Sequence, residues 1–564
     1  MLLHNETLNP DYKNIDFIRN YEKLLVQDNI VKIFFQDGKM ELSFFKYDIV
    51  KVFIGDIYEE SKDTPAICSQ PESCLIDVCE SEDCITVKGE NIYTIINKEN
   101  LKISFISKNG NIICEDFKPC GRNGKNIFIA KSNDCTAYYG FGEKGGSLNK
   151  KGQYIENFNT DNPLHDDDTP LLYKTIPFYI GVKQDDFYGI YFDNSFRSYF
   201  DMGKSFKDFI YFGAAGGKLQ YYFMPSKDIK DVVKKYSLLT GTMDMPAAWS
   251  LGYQQCRYSY NSQNEVETLA EAFRNKQIPC DTIYLDIDYM DRYKVMTFNT
   301  ETFPEPASMI KKLKENGFNV VTILDPGVKV EENYEVYENG IKGDHFVKKA
   351  DGSLFQGEVW PGLSAFPDFA NENAREWWKE ELKKFLSLGI SGIWNDMNEA
   401  AVFDNEYKTL PETCLHNGDD GVMEHSEFHN MYGMQMSRCS KEAQEESRKN
   451  IRSFSMTRAT FAGGQRYSSI WTGDNHSTWQ HMRMSIPMNC NLGISGFAYV
   501  GNDVGGFGGD CNEELFIRWM ELGAFLPIFR NHSAIGTRRQ EPWCFGARAE
   551  AVSKKFIELR YSLM

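Results

Sequence analysis

The sequence predicts an N-terminal β-sandwich followed by a (β/α)8 barrel, and three features of the 564-residue chain carry that expectation. Residues 1–240 contain many short β-branched and aromatic runs, roughly alternating and bounded by Gly, Asn, Asp or Lys-Asn turns. Beyond Pro246, eight short apolar runs alternate with stretches of helical periodicity, the pattern of a barrel built from βα units. Between the two textures lies Gly241-Thr-Met-Asp-Met-Pro246, which reads as a boundary.

In the first part, expected strands are 30–35, 48–55, 84–87, 92–96, 101–106, 187–192 and 209–213, with a helix over 226–239. In the second, expected strands are 250–254, 282–286, 320–324, 389–395, 453–457, 469–473, 496–501 and 524–529. Helical periodicity fills 263–276, 307–316 and 373–388. An open doubly wound sheet would use the same elements, but no glycine-rich phosphate turn follows the first strand. The domains are therefore set at 1–240 and 241–564. Long insertions fall at about 326–367, with a hairpin around Lys349-Ala-Asp-Gly352, and at about 400–450. Connections of that length are lids or small subdomains. The chain stops at Leu559-Arg-Tyr-Ser-Leu-Met564, inside what reads as the last barrel helix, which implies a short final helix or a fragment.

A formal charge of −18 argues against a nucleic-acid partner, since a uniformly acidic surface repels phosphates. The N-terminus lacks a basic segment followed by an apolar one, and no apolar run reaches the roughly 18 residues of a membrane span. The expected location is the cytoplasm, where the 14 cysteines would be mostly free thiols. Cys68, Cys74, Cys79 and Cys84 are spaced too widely for a metal knuckle and have no histidine among them. Sequons at Asn5, Asn475 and Asn531 carry little weight without a secretory route. His425 and His429 share a helix face, but His425-Ser-Glu-Phe-His429 lacks the glutamate of a zinc-protease helix. A solvated face is expected there, and no metal or cofactor is expected anywhere.

Acidic residues gather at the C-terminal ends of the expected barrel strands, the face on which barrel active sites are built. Asp286 and Asp288 end the second strand, Asp325 the third and Asp474 the sixth. Asp396 and Glu399 follow the fourth, Arg458 the fifth, Asp503 the seventh, and Arg530 with His532 the eighth. Helix capping explains a single such aspartate. It does not explain Trp360, Trp394 and Trp471 beside them. Carboxylates next to aromatic walls suit a sugar, whose rings have apolar faces and whose hydroxyls need polar partners. Glycosidic cleavage needs one ionised and one protonated carboxyl, and the residues alone do not say which pair serves.

These motifs resemble glycoside hydrolase family 31, the α-glucosidase family. The resemblance rests on Tyr139-Gly-Phe-Gly-Glu-Lys144, Asn159-Thr-Asp161, Leu285-Asp-Ile-Asp-Tyr-Met-Asp291, Trp394-Asn-Asp-Met-Asn-Glu399, Arg458 through Gly473-Asp474, and Arg530-Asn-His532. It covers nearly the whole chain. It implies Asp396 as nucleophile, Asp474 as general acid and then base, and Asp286 with His532 as clamps on the outer hydroxyls of a non-reducing glucose. Arg458, Trp394, Trp471, Asp325 and Trp360 would form the floor and walls of the first subsite. Ile323, Met397, Phe507 and, from the sandwich loop, Asp161 match further contact positions. The implied activity is retaining, exo-acting hydrolysis of α-linked glucose from a small oligosaccharide. Tyr258, in Cys256-Arg-Tyr-Ser-Tyr260, resembles the maltose-preferring pattern and so favours α-1,4 over α-1,6 linkages. The alternatives are a transglucosidase or α-glucan lyase on the same fold, or a carbohydrate-binding protein without catalysis. Family members usually continue into C-terminal β domains, which are missing from this sequence.

Overall fold

The computed structural model describes residues 14–36, 38–163 and 165–564. The Asn5 sequon and the reading of the N-terminal segment fall outside the described residues.

Period-two burial organises the first part. Ile30–Phe35 and Ile92–Asn97 each bury every second side chain, so each contributes one apolar face. Two antiparallel sheets pack those faces together. One runs in space from Tyr154–Asn157 through Ser198–Asp201, Phe209–Ala214, Asn126–Ser132 and Ile112–Asn123 to Asp77–Glu80. The other runs from Ala137–Gly140 through Phe178–Lys183, Asp186–Phe192, Leu219–Ser226 and Val50–Gly55 to Tyr21–Gln27. Ile33, Val52, Ile85, Phe212 and Phe223 share their common core, and Phe105 of one sheet stacks on Phe223 of the other at 3.8 Å. This is the expected sandwich. Helix Ile229–Thr240, capped by the Asp228 carboxylate and ended by Gly241, leads out of it.

The barrel strands are β1 Tyr253–Gln255, β2 Thr282–Leu285, β3 Asn319–Leu324, β4 Gly392–Asn395, β5 Ser455–Thr457, β6 Ser469–Trp471, β7 Val500–Val504 and β8 Ile528–Asn531. They pair in parallel and close when β8 meets β1, Phe529 lying opposite Tyr253. The outer helices are α1 Gln263–Asn275, α2 Pro306–Glu315, α3 Glu372–Leu386, α4 His425–Ser447, α5 Trp479–Ile494, α6 Glu513–Gly523 and α7 Ala547–Leu563. Side chains of Ser262, Asn371, Thr478 and Asn512 cap α1, α3, α5 and α6, accepting the orphan N–H groups of the first turn.

Three strands depart from their expected positions. β1 begins only after a 3-10 turn at Ala248–Leu251. β7 and β8 lie about four residues later than the apolar runs suggest, and they contain Asn502, Asp503 and Arg530. These polar residues belong to strands because they find partners inside the barrel. Asn502 donates to Thr472 Oγ1 at 2.6 Å, and Arg530 Nη2 lies 2.5 Å from Asp503 Oδ1. Asp503 and Arg530 are thus strand residues rather than strand-end residues.

The first insertion folds as a small antiparallel sheet of Val328–Lys329, Gly362–Ala365 and Gln356–Val359, with helix Glu335–Lys342. In the second, hairpin Leu415–Gly418 with Gly421–Glu424 precedes α4, so residues 425–447 form part of the helical ring. His425 and His429, expected on a solvated face, are fully buried, because hairpin and sandwich both pack over that end of α4. Asn475 and Asn531 are buried as well, and their amides donate to the carbonyls of Asp503 and Val504. All the cysteines are free thiols. Among the described residues no helix is long and apolar enough to cross a membrane.

The sandwich locks onto the barrel. Lys174–Thr175 pairs in parallel with Thr460–Phe461, and Leu172, Tyr173, Ile176 and Phe178 join the barrel core. Lys174 Nζ donates to the Trp471 carbonyl at 2.7 Å and to Glu143 Oε2 at 3.1 Å, with both charged side chains fully buried. Burial pushes the lysine pKa down, and Glu143 is the nearest compensating charge. Lys174→Met is therefore expected to strand that carboxylate and to lower stability by about 3–5 kcal/mol, read as a drop in urea midpoint. Adding Glu143→Gln should restore part of the loss.

Candidate active site

The centre of the barrel's C-terminal face is the Arg458 guanidinium, only 2% exposed and surrounded by four carboxylates. Arg458 follows β5. Its Nη2 lies 2.7 Å from Glu399 Oε2, and its Nε 3.0 Å from Asp396 Oδ1. Its Nη1 lies 3.6 Å from Asp161 Oδ1 and 3.9 Å from Asp474 Oδ2. Three of these acids come from barrel loops and the fourth from the sandwich.

Local backbone geometry presents each acid. Asp396 leaves β4 immediately before Met397, whose φ of 53° turns the chain sharply. The Met397 N–H then donates to Asp396 Oδ1 at 2.8 Å. Asp474 follows Gly473, which sits at φ 61° with the Tyr173 ring against it. A Cβ there would meet the ring at 2.1 Å, so only glycine allows this approach. The Arg458 guanidinium covers the same ring, 5.2 Å from its centre.

The two expected catalytic acids occupy unlike environments. Burial raises the Asp396 pKa, while the adjacent guanidinium and the Met397 N–H oppose the rise. Burial drives Asp474 well above the ordinary aspartate value; Arg458 opposes, and the charges of Asp396 and Asp161 add to the rise. Glu399 is pushed up to about 7 by burial despite its bidentate hold on Arg458. Asp396 thus keeps the better support for an anion, and Asp474 the stronger tendency to hold a proton.

Around the acids stand the other expected residues. Asp286 accepts from the Ile287 N–H at 2.7 Å, and its Oδ2 lies 3.7 Å from His532 Nε2. Burial and the charges of Arg530 and Arg257 hold His532 well below the usual histidine range, hence neutral. Phe507 stacks on His532 at 4.8 Å. Asp325 is buried at the end of β3, and Ile323, within β3, pairs in register with Trp394. Trp394 and Trp471 meet edge to face at 5.6 Å, and the Arg530 guanidinium lies 4.6 and 5.0 Å from their ring centres. Trp360 stands apart from this floor. It is 40% exposed and groups with Tyr258 at 6.2 Å and Phe403 at 5.1 Å.

Several buried polar atoms here make no hydrogen bond within the protein: Trp394 Nε1, Trp471 Nε1, Asp325 Oδ1, Asp161 Oδ1 and His532 Nδ1. Unpaired buried groups are costly, and a polyhydroxylated ligand is the kind of molecule that satisfies many at once. Cys256, Asp286 and His532 place one ligand atom each within 4.8 Å of one another, a donor set a soft divalent metal could use. The charges of Arg257 and Arg530, which already depress the His532 pKa, act against a dication there.

The sequence missed several contributors. Glu399 was legible as an acid but not as the bidentate partner of Arg458. Phe403 sits inside an insertion, and Tyr173 and Lys174 in a segment with no chemical motif. Only its aromatic neighbours reveal Arg530 as a brace beneath the tryptophans.

A model of the glycosyl hydrolases family 31 TIM-barrel domain matches residues 243–564. The chain belongs to glycoside hydrolase family 31. The family's N-terminal galactose mutarotase-like domain matches residues 39–201. Alpha-glucosidase 2 of Bacillus thermoamyloliquefaciens is 41% identical over 529 residues, covering 93% of this chain and 67% of that protein. A probable glucan 1,3-alpha-glucosidase of Oryza sativa subsp. japonica is 38% identical over 355 residues, 62% of this chain and 38% of that protein. The chain therefore spans about two thirds of the first relative and well under half of the second. Among solved structures, a Flavobacterium johnsoniae GH31 dextranase complexed with isomaltotriose superposes with a TM-score of 0.91 at 29% identity, covering 97% of this chain and 69% of that one.

A carboxyl titration tests the electrostatic asymmetry of this family 31 site. Both folded-state values lie above the ordinary aspartate value of about 3.9, so each group stays protonated to higher pH than in the unfolded chain. As pH rises, Asp396 is expected to ionise first and Asp474 later, followed by the carboxyl 13C shifts of labelled aspartate. The reverse order would exchange their roles.

Proposed function

We propose that this chain is a retaining, exo-acting α-glucosidase. The carrying observation is a pair of carboxyls, Asp396 and Asp474, set 3.0 and 3.9 Å from one buried guanidinium. Asp396, supported as an anion by Arg458 and the Met397 N–H, attacks the anomeric carbon and forms a covalent glucosyl ester. Asp474 gives its proton to the departing oxygen, then takes one from the water that opens the ester. Arg458 steadies the charge through both steps by remaining a cation throughout.

A barrel interior filled beneath the acids favours attack at a chain end. Below the acids, Trp394, Trp471 and the buried Arg530–Asp503 pair close the barrel interior, so a sugar enters only from the mouth. Asp286, Asp325 and His532 offer acceptors and donors for the outer hydroxyls of one non-reducing glucose. Above them, Tyr258, Trp360 and Phe403 supply aromatic faces for the next sugar. A tyrosine at position 258, which resembles the maltose-preferring pattern, supports α-1,4 linkage, and the name of the 41% identical relative supports glucose as the released unit.

Asp396→Asn is expected to abolish turnover of 4-nitrophenyl α-D-glucoside with the melting temperature unchanged. Asp474→Ala should cost about 10²–10⁴-fold on maltose and far less on the activated glycoside, which needs no acid. Equal losses on both would remove Asp474 from the acid role. The wild type should release α-glucose first, seen by proton NMR, and prefer maltose to isomaltose in kcat/KM. A longer oligosaccharide or an anhydro sugar as main product would replace hydrolysis by transfer or elimination.

A further inference from the structure

Three buried imidazoles link the insertions to the sandwich in one unbroken chain. Asp368 Oδ1 lies 2.6 Å from His416 Nδ1. His416 Nε2 lies 2.9 Å from His425 Nδ1, and His425 Nε2 3.0 Å from His429 Nδ1. His429 Nε2 ends the series 2.8 Å from the Asn159 carbonyl. All three rings are fully buried.

The end groups determine where the protons sit. A carbonyl oxygen only accepts, so His429 Nε2 carries hydrogen and donates. Burial holds His429 down to about 4 and His425 well below the histidine range, so both are neutral with one N–H each. His429 Nδ1 must then accept from His425 Nε2–H, and His425 Nδ1 from His416 Nε2–H. One proton remains between His416 and Asp368. Asp368 also accepts the Asn417 N–H at 2.7 Å and the Ala370 N–H at 3.3 Å, which fix its carboxyl at the head of the series. Every bond from His416 onward thus donates in one direction, toward Asn159.

Asn159 is gripped at each polar atom of its backbone. Its N–H donates to Asn430 Oδ1 at 2.9 Å, its side-chain amide donates to the Asn430 carbonyl at 3.0 Å, and Phe158 stacks on His429 at 3.8 Å. Two residues later Asp161 faces Arg458, with a side chain 23% exposed. We propose that His416, His425 and His429 are positioning residues that act through Asn159 to hold Asp161 at the Arg458 guanidinium, completing the glucose subsite from the sandwich side. Bonds aligned in one direction polarise one another, which strengthens the last of them. The inference rests on the α-glucosidase reading only for its kinetic consequence.

A double-mutant cycle tests it in the full chain. His429→Phe keeps a ring on Phe158 but removes the donor to Asn159, and is expected to lower kcat/KM on maltose about tenfold, mostly through KM. In an Asp161→Asn background the same substitution should change kcat/KM by less than about twofold, because the residue being positioned is already disabled. His429→Gln, which can still donate an amide N–H, should recover much of the loss. Equal losses in both backgrounds, or no loss at all, would overturn the proposal. Should His429→Phe fail to fold, Asp368→Asn goes through the same cycle, with the same loss expected and the same results overturning the proposal. Independently of turnover, 15N-histidine spectra should show all three imidazoles carrying hydrogen on Nε2; a ring with hydrogen on Nδ1 alone would refute the relay. A wild type that does not hydrolyse α-glucosides would sink the functional reading while leaving that spectrum intact.

Discussion

A single buried cation makes this site possible. Four carboxylates converge on the Arg458 guanidinium, a cation that offsets so much negative charge gathered in a buried place. With it, the charge is shared unequally. Glu399 accepts the hydrogen bonds of Nε and Nη2, Asp396 approaches Nε to 3.0 Å, and Asp474 stays farther off. Geometry therefore gives chemically identical side chains unequal support as anions, the asymmetry on which the proposed cleavage draws.

That cation is held from two domains. Tyr173 lies beneath the guanidinium and against Gly473, Lys174 ties the Trp471 carbonyl to Glu143, and Asp161 approaches from the Asn159 loop. The barrel by itself would lack one of the four acids and the aromatic surface behind Asp474. The parallel pairing of Lys174–Thr175 with Thr460–Phe461 shows how closely the sandwich is joined to the loops after β5 and β6. Such a scaffold keeps donors and acceptors oriented before substrate arrives, so little reorganisation is left for the reaction itself.

The interior beneath the site uses a second buried cation. Arg530 pairs with Asp503 while its guanidinium faces the rings of Trp394, Trp471 and Tyr284. Stacking fixes the tryptophans that line the pocket floor, and the ion pair compensates the charge. The two strands that carry this pair are the ones an apolar-run reading places too early. The reason is physical: a polar residue looks like a strand end when its partner, distant in sequence, is not visible.

Periodicity and turn chemistry in the sequence determined the layout of sandwich then barrel, since period-two runs and helical stretches are local properties of the chain. The strand-end acids, Arg458 and the tryptophans were legible for the same reason, each sitting next to an apolar run. The tertiary structure decided what depends on distance across the chain. It set which acids share Arg458, and so how strongly each carboxyl is supported as an anion. It also buried His425 and His429 under a hairpin and a sandwich loop that spacing alone could not bring to them, and drew Tyr173 and Lys174 into the site. Ionisation and partnership depend on the surrounding dielectric and charge, which exist only once distant segments have packed together.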